Sequence, residues 1–214
     1  MHAIIIGSTG MTGSELLKLL LMTDQYTEVT SFSRKATGLS HPKFTEHIID
    51  FDKPEKWQNL VKGDVLFSCL GTTLKKAGSK EAQRKIDFEY QYEFAKAGLN
   101  NGVATHVLIS SAGASVKSPF FYSRIKGELD EAVQILGFKN SIIFRPAQLY
   151  GNRVEKRIAE KSALKFMFFL NALGLLKKYK PIHAEELARA MIKAANLNIS
   201  ATYTMDEIFR LYHS

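Results

Sequence analysis

Ser110-Ser111 and Tyr122-Ser123-Arg124-Ile125-Lys126 are the residues of this chain best suited to proton chemistry. Tyr122 and Lys126 are four apart, so on a helix they share a face and lie one turn from each other. A free tyrosine ionises at about pH 10, too high for a good base at neutral pH. A lysine ammonium one turn away favours the phenolate, and the expectation is that Lys126 lowers the pKa of Tyr122. A hydroxyl from Ser111, in the loop before that helix, would hold and polarise a carbonyl oxygen beside the phenol; Ser110 is the alternative. Tyr-x-x-x-Lys alone is common on helices, so its weight depends on the elements upstream.

Those elements begin at the first residues. Ala3-Ile4-Ile5-Ile6 is an apolar run of the length of a strand buried on both faces. Gly7-x-x-Gly10-x-x-Gly13 follows at once, and Leu16, Leu17, Leu20 and Leu21 then recur at near-helical spacing. Strand, glycine turn and helix together are the context of a dinucleotide-binding turn. A diphosphate must sit on the free N–H groups of a helix N-terminus, with no Cβ in the way. Gly7 serves the tight turn, Gly10 the close approach and Gly13 the packing of helix on strand. The second strand ends Ser31-Phe32-Ser33-Arg34-Lys35. An NAD site usually carries an acid there for the ribose 2′-hydroxyl. Arg34 and Lys35 would instead accept a 2′-phosphate, so the expected cofactor is NADP(H).

Further strands are expected at Glu28–Phe32, Phe44–Ile49, Asp64–Cys69, Ala104–Ile109 and Asn140–Phe144, and helices at Ser79–Ala97, Pro119–Leu136 and Ala184–Ala195. The alternation predicts an α/β fold: a doubly wound parallel sheet, the Rossmann fold, in a single NAD(P)-binding domain spanning 1–214. After the sixth strand the chain changes character. Glu155 to Leu176 is first basic and then strongly apolar, with Pro181 as its stop. Residues 152–182 are read as a small helical cap on the substrate side, because ligands lie at the carboxyl ends of the strands in such sheets.

Composition narrows the classes. Of 214 residues 45% are hydrophobic and 23% charged, which excludes a disordered chain. The net charge of +8 comes from scattered lysines; the doublets Lys75-Lys76 and Lys177-Lys178 are short and accompany no nucleic-acid-binding signature. No stretch approaches the ~20 apolar residues of a membrane span. Cys69 is the single cysteine, which excludes an intrachain disulfide or a zinc cluster. With no signal peptide before the first strand, the expected location is the cytoplasm. No metal site is expected.

The glycine spacing, Ser111 and Tyr122-x-x-x-Lys126 resemble the short-chain dehydrogenase/reductase superfamily, on the side of its atypical and extended members. Val65-Leu-Phe-Ser-Cys-Leu-Gly-Thr-Thr-Leu-Lys-Lys-Ala77, with Asp50-Phe51, Gly127-Glu128 and Phe144-Arg145-Pro146, resembles more closely the Tat-interacting-protein-like NADPH-binding oxidoreductases. The resemblance implies roles. Thr9, Gly10, Met11 and Thr12 would lie along the pyrophosphate, and Arg34 and Lys35 would hold the 2′-phosphate. Asp50 would accept the adenine amino group, and Leu70 and Gly71 would line the adenosine ribose. Tyr122 and Lys126 would contact the nicotinamide ribose as well as do chemistry. Pro146 to Leu149 would meet the carboxamide, and Arg157 would add a cofactor contact. The helix asparagine of the compact members has no counterpart; Asp87 lies near its place.

The leading functional reading is an NADPH-dependent oxidoreductase, of carbonyl reductase or alcohol dehydrogenase type, acting on a small-molecule carbonyl or its alcohol through Ser111, Tyr122 and Lys126. The second is an NADPH-binding redox sensor or adaptor with a protein partner and little turnover. A sugar-nucleotide epimerase is disfavoured, since the ~60 residues after the sixth strand are few for a substrate domain.

Overall fold

The computed structural model describes residues 1–151 and 181–213. Strands β1 (His2–Ile6), β2 (Glu28–Ser33), β3 (Phe44–Ile48), β4 (Val65–Ser68), β5 (Thr105–Ile109), β6 (Asn140–Phe144) and β9 (Ala201–Tyr203) form one sheet of seven strands in the order β3-β2-β1-β4-β5-β6-β9. Every neighbouring pair in it is parallel. This is the expected doubly wound sheet, with the strand order reversing at β1 and β4. A separate short pair, β7 (Leu149–Tyr150) and β8 (Ile182–His183), is also parallel.

The central strands read as continuous apolar runs because both faces are covered. Successive residues of β1 serve opposite cores. Ala3 and Ile5 join Leu16, Leu17 and Leu20 of α1 (Met11–Met22) and the alanine-rich face of α6 (Ala184–Asn196). Ile4 and Ile6 join Phe94 of α4 (Tyr90–Asn100) and Leu129 and Val133 of α5 (Phe121–Leu136). The second core also holds the stacked Trp57 and Phe94 rings, 4.9 Å apart. β3 is an edge strand, which is why it tolerates Thr45 and Glu46.

The expected helix from Ser79 is present, and Ser79 does cap it: its Oγ accepts from the Ala82 N–H at 3.1 Å. It is not uniform, however. α3 (Lys80–Arg84) passes into α4 through a π turn at Lys85–Glu89. Gln91 Nε2 donates to the Asp87 carbonyl in that turn, at 2.9 Å. The sequence gives no warning of β7, β8 or β9, because strands of two or three residues carry no periodicity. Nor does it announce the short α2 (Leu74–Ala77) or the closing α7 (Met205–His213). Most of the expected cap over 152–182 lies outside the described residues. Among the described residues no helix is long and apolar enough to cross a membrane.

Candidate active site

The glycine turn is built from missing side chains. Gly7 has φ +82°, and a Cβ there would lie 2.5 Å from the carbonyl carbon of Cys69 and 2.8 Å from the Leu70 nitrogen. The turn after β1 therefore closes directly on the backbone that leaves β4. A Cβ on Gly13 would run into the Gly7 carbonyl, so the helix could not pack. Gly10 is different: it is exposed, and its Cβ would stand 3.1 Å from the Gly7 oxygen, a tight contact rather than a collision. Gly10 is also the N-cap of α1, with extended backbone, no capping side chain and no acid in the first turn. The leading N–H groups of α1, at Met11, Thr12 and Gly13, thus face outward with the positive end of the helix dipole. Thr9 is exposed beside them, whereas Ser8 Oγ and Thr12 Oγ1 are buried without a hydrogen-bond partner. A cradle that a Cβ would fill, free helix N–H groups and orphaned hydroxyls fit a dinucleotide diphosphate.

Arg34 and Lys35 follow the end of β2, are exposed and form no ion pair among the described residues. Asp50 lies just past β3, on the neighbouring strand. Its carboxylate is 3.2 Å from Lys53 Nζ and accepts from the Asp52 N–H at 3.1 Å. Beside it Phe51 stacks on Tyr90 at 5.1 Å, and the Tyr90 hydroxyl donates to Asp52 at 2.9 Å. Leu70 and Gly71 follow β4, between the glycine turn and Asp87.

The chemistry-bearing cluster sits at the same carboxyl edge, after β5. α5 approaches this edge closely because Gly127 has no side chain: a Cβ there would collide with the Ser115 and Val116 backbone. The Ala112 N–H donates to the Pro146 carbonyl at 2.8 Å, tying the loop after β5 to the one after β6. Tyr122 is 40% exposed as a residue, and its hydroxyl meets that of Ser111, with Asp87 and Asp130 close enough to act on it. Ser110 turns the other way: its Oγ is buried beside Asp130. One turn below Tyr122, Lys126 is only 2% exposed, and its Nζ donates to the Ile109 carbonyl at 3.1 Å.

The expected effect of Lys126 on Tyr122 is overruled by burial. Loss of water around the phenol pushes its pKa up to about 12, Asp87 and Asp130 add to the rise, and only the Ser111 hydroxyl opposes it. Lys126 is lowered by burial, with Asp87 and Asp130 pulling back towards the charged form. Cys69, at the floor of the site, is pushed up to about 12 by burial and is a neutral thiol at neutral pH.

Two buried acids here are more central than the sequence suggests. Asp87 is fully buried in the π turn, accepting from the Thr72 N–H at 2.9 Å and Gln83 Nε2 at 3.2 Å; burial raises its pKa. Asp130 is buried one turn beyond Lys126 and pairs with Arg145 Nε at 2.8 Å. This pair accounts for the arginine of Phe144-Arg145-Pro146, which fastens the loop after β6 to α5. The spacing Lys126–Asp130, four residues on a helix, is the signal that could have placed Asp130 in the cluster. Nothing local marks Asp87, since its burial depends on the π turn.

The curated relatives decide the family. The mitochondrial protein FMP52 of Candida albicans is 32% identical over 206 residues, covering 94% of this chain and 90% of its own. That of Emericella nidulans is 40% identical over 179 residues, covering 79% of this chain and 75% of its own. This chain belongs to the FMP52 family. The FMP52 relatives are named as mitochondrial proteins, which overturns the expected cytoplasmic location. A folded domain has much the same composition in the cytosol and in an organelle, so composition does not separate the two.

Residues 2–98 of this FMP52-family chain match the family described as semialdehyde dehydrogenase, NAD binding domain. Among solved structures, UDP-glucose 4-epimerase from Thermotoga maritima superposes with a TM-score of 0.71 at 13% identity, covering 99% of this chain and 81% of that one. The human epimerase family protein SDR39U1, solved with NADPH, gives a TM-score of 0.64 at 18% identity and covers 94% and 72%. At such identities the likeness is one of fold, a Rossmann-type α/β domain shared with these epimerase structures. The remaining expected contact residues divide. Leu149 pairs with Ile182 across β7 and β8, and the next residue, Gly151, lies against Met11 and His183, so this pair borders the start of α1. Arg157 lies outside the described residues.

Proposed function

We propose that this FMP52-family chain is an NADPH-dependent oxidoreductase that interconverts a carbonyl compound and its alcohol, akin to the Tat-interacting-protein-like enzymes. The observation that carries this reading is the shared edge: the Tyr122 hydroxyl faces Ser111, with Lys126 buried one turn below, beside the cradle made by Gly7, Gly10 and Gly13. Thr9, Met11 and Thr12 would hold the diphosphate with those glycines, Arg34 and Lys35 the 2′-phosphate, and Asp50, Leu70 and Gly71 the adenosine. NADPH, when bound, supplies the hydride.

The protein supplies the proton. A phenol held at about 12 is neutral at physiological pH and is therefore the species that can give a proton to a carbonyl oxygen as it becomes an alkoxide. Ser111 would donate a hydrogen bond to that oxygen and hold it beside Tyr122. Lys126 would stabilise the phenolate left behind, an effect larger in a buried site than in water. Asp87 and Asp130 favour its charged form. Phe120, 73% exposed at the N-terminus of the helix that carries Tyr122, favours a substrate with an apolar group. The names of the relatives support a mitochondrial setting for this activity.

A panel of aldehydes and ketones, followed by loss of NADPH absorbance, tests the reading. At least one apolar carbonyl should turn over. Tight NADPH binding with no turnover across the panel would replace the enzyme by a nucleotide-binding sensor.

A further inference from the structure

We propose that Glu46 is a positioning residue for the cationic loop after β2, and that it sets how strongly this chain distinguishes a 2′-phosphorylated dinucleotide from an unphosphorylated one. The proposal rests on the NADPH reading above. Glu46 lies on β3, in register with Ser31 of β2. Both of its oxygens accept from the Thr37 N–H, each at 3.0 Å, and Oε1 is 3.4 Å from the Ser31 hydroxyl, which donates to it. No lysine, arginine or histidine pairs with it among the described residues. An acid on a half-buried edge strand, beside an exposed arginine and lysine, would be expected to choose a cation. This one holds a backbone N–H by a charge-assisted bond instead.

That bond is the last of three that fix the segment. The Ile49 N–H donates to the Ser33 carbonyl at 2.8 Å, Ser33 Oγ donates to the Lys35 carbonyl at 2.6 Å, and Glu46 then holds Thr37. Arg34 and Lys35 lie between these pins with exposed side chains. Their backbone is ordered before any ligand arrives, so a phosphate bound there need not bear the cost of ordering the loop. The carboxylate has a second, opposite effect, because its negative charge near the loop repels a phosphate. Geometry and charge can therefore be separated by substitution. Glu46→Ala removes both, while Glu46→Gln keeps one acceptor oxygen for Thr37 and removes only the charge.

Calorimetric titration of wild type and both variants with NADPH and with NADH tests this, with thermal melts to confirm folding. Wild type should prefer NADPH by at least about tenfold. Glu46→Ala should weaken NADPH about fivefold and leave NADH within about twofold, whereas Glu46→Gln should match or exceed the wild-type preference. If folded Glu46→Ala keeps the wild-type preference, or loses affinity for both cofactors equally, Glu46 only stabilises the sheet edge and the proposal fails. If Glu46→Gln weakens NADPH as the alanine variant does, an acceptor oxygen at this position does not hold the loop, and the proposal also fails. Equal affinities in wild type itself would instead remove the NADPH reading beneath it.

Discussion

The two halves of the site are made of different things. The nucleotide half is backbone: Gly7, Gly10 and Gly13 act by lacking a Cβ, and α1 offers N–H groups with no capping side chain over them. The catalytic half is buried charge: Lys126, Asp87 and Asp130 are all at most 2% exposed and lie around one phenol. Backbone sites tolerate little and depend on shape. Buried-charge sites depend on how much water each group has lost and on every charge around it, which is why Tyr122 rises where its spacing to Lys126 alone has it fall.

The sharpest way to break this division is to remove the one proton donor. Tyr122→Phe deletes a hydroxyl with almost no change in volume, and turnover should fall by ~10²–10⁴. NADPH affinity, measured on the same protein, should change little, because the diphosphate and 2′-phosphate contacts belong to the other half. Substitution in the glycine turn should do the reverse. Gly10→Val should weaken NADPH by about 100-fold or more in a protein that still folds, since its Cβ would be tight against the Gly7 oxygen at 3.1 Å but would not collide with it. Gly13→Val should fail to fold, because its Cβ meets the Gly7 carbonyl. Equal stability of the two variants would show that the glycines do not divide in this way.

Burial can be tested away from the chemistry at His106. Both ring nitrogens are buried without partners, the ring stacks on Phe138 at 5.1 Å, and burial pushes its pKa down to about 4. The unfolded chain takes up a proton at about pH 6.5, while the folded protein resists until about pH 4. Stability is thus complete above about pH 6.5 and is lost as pH falls towards 4, by about 3 kcal/mol in total. Urea unfolding of wild type and His106→Phe at pH 7 and pH 4 measures the difference. Identical pH dependence in the two proteins would mean that His106 is not desolvated as described.

A smaller effect belongs to Asp87→Asn, which keeps an acceptor for the Thr72 N–H but removes a buried charge facing both Tyr122 and Lys126. Because Asp87 raises the phenol, its loss should move the alkaline limb of the activity profile to lower pH, by about one unit or less. A shift to higher pH would contradict the sign of that coupling.

What could be read from the sequence follows the same division. The glycine turn, the six longer strands of the parallel sheet and the basic residues after β2 all rest on local patterns, and the first two stand in the structure where the patterns put them. β9 is three residues long and finds its place only by pairing with β6. The π turn that buries Asp87, and the pair between Asp130 and Arg145, join residues whose relation appears only after the sheet is assembled. The tyrosine–lysine spacing correctly put the two on one helix face. It could not report how much water the phenol loses or that Asp87 and Asp130 stand near it, and these decide the direction of the shift.

The pH dependence of kcat/KM for carbonyl reduction, at saturating NADPH, tests the central claim most directly, because that claim concerns the proton on Tyr122. A phenol held at about 12 by burial keeps its proton throughout the working range. The rate should then be level from about pH 6 to about pH 10, and should fall only above about pH 11 as the donor ionises. A fall centred between about pH 7 and pH 9 would show that Lys126 outweighs burial after all, and that Tyr122 is not the neutral donor described here.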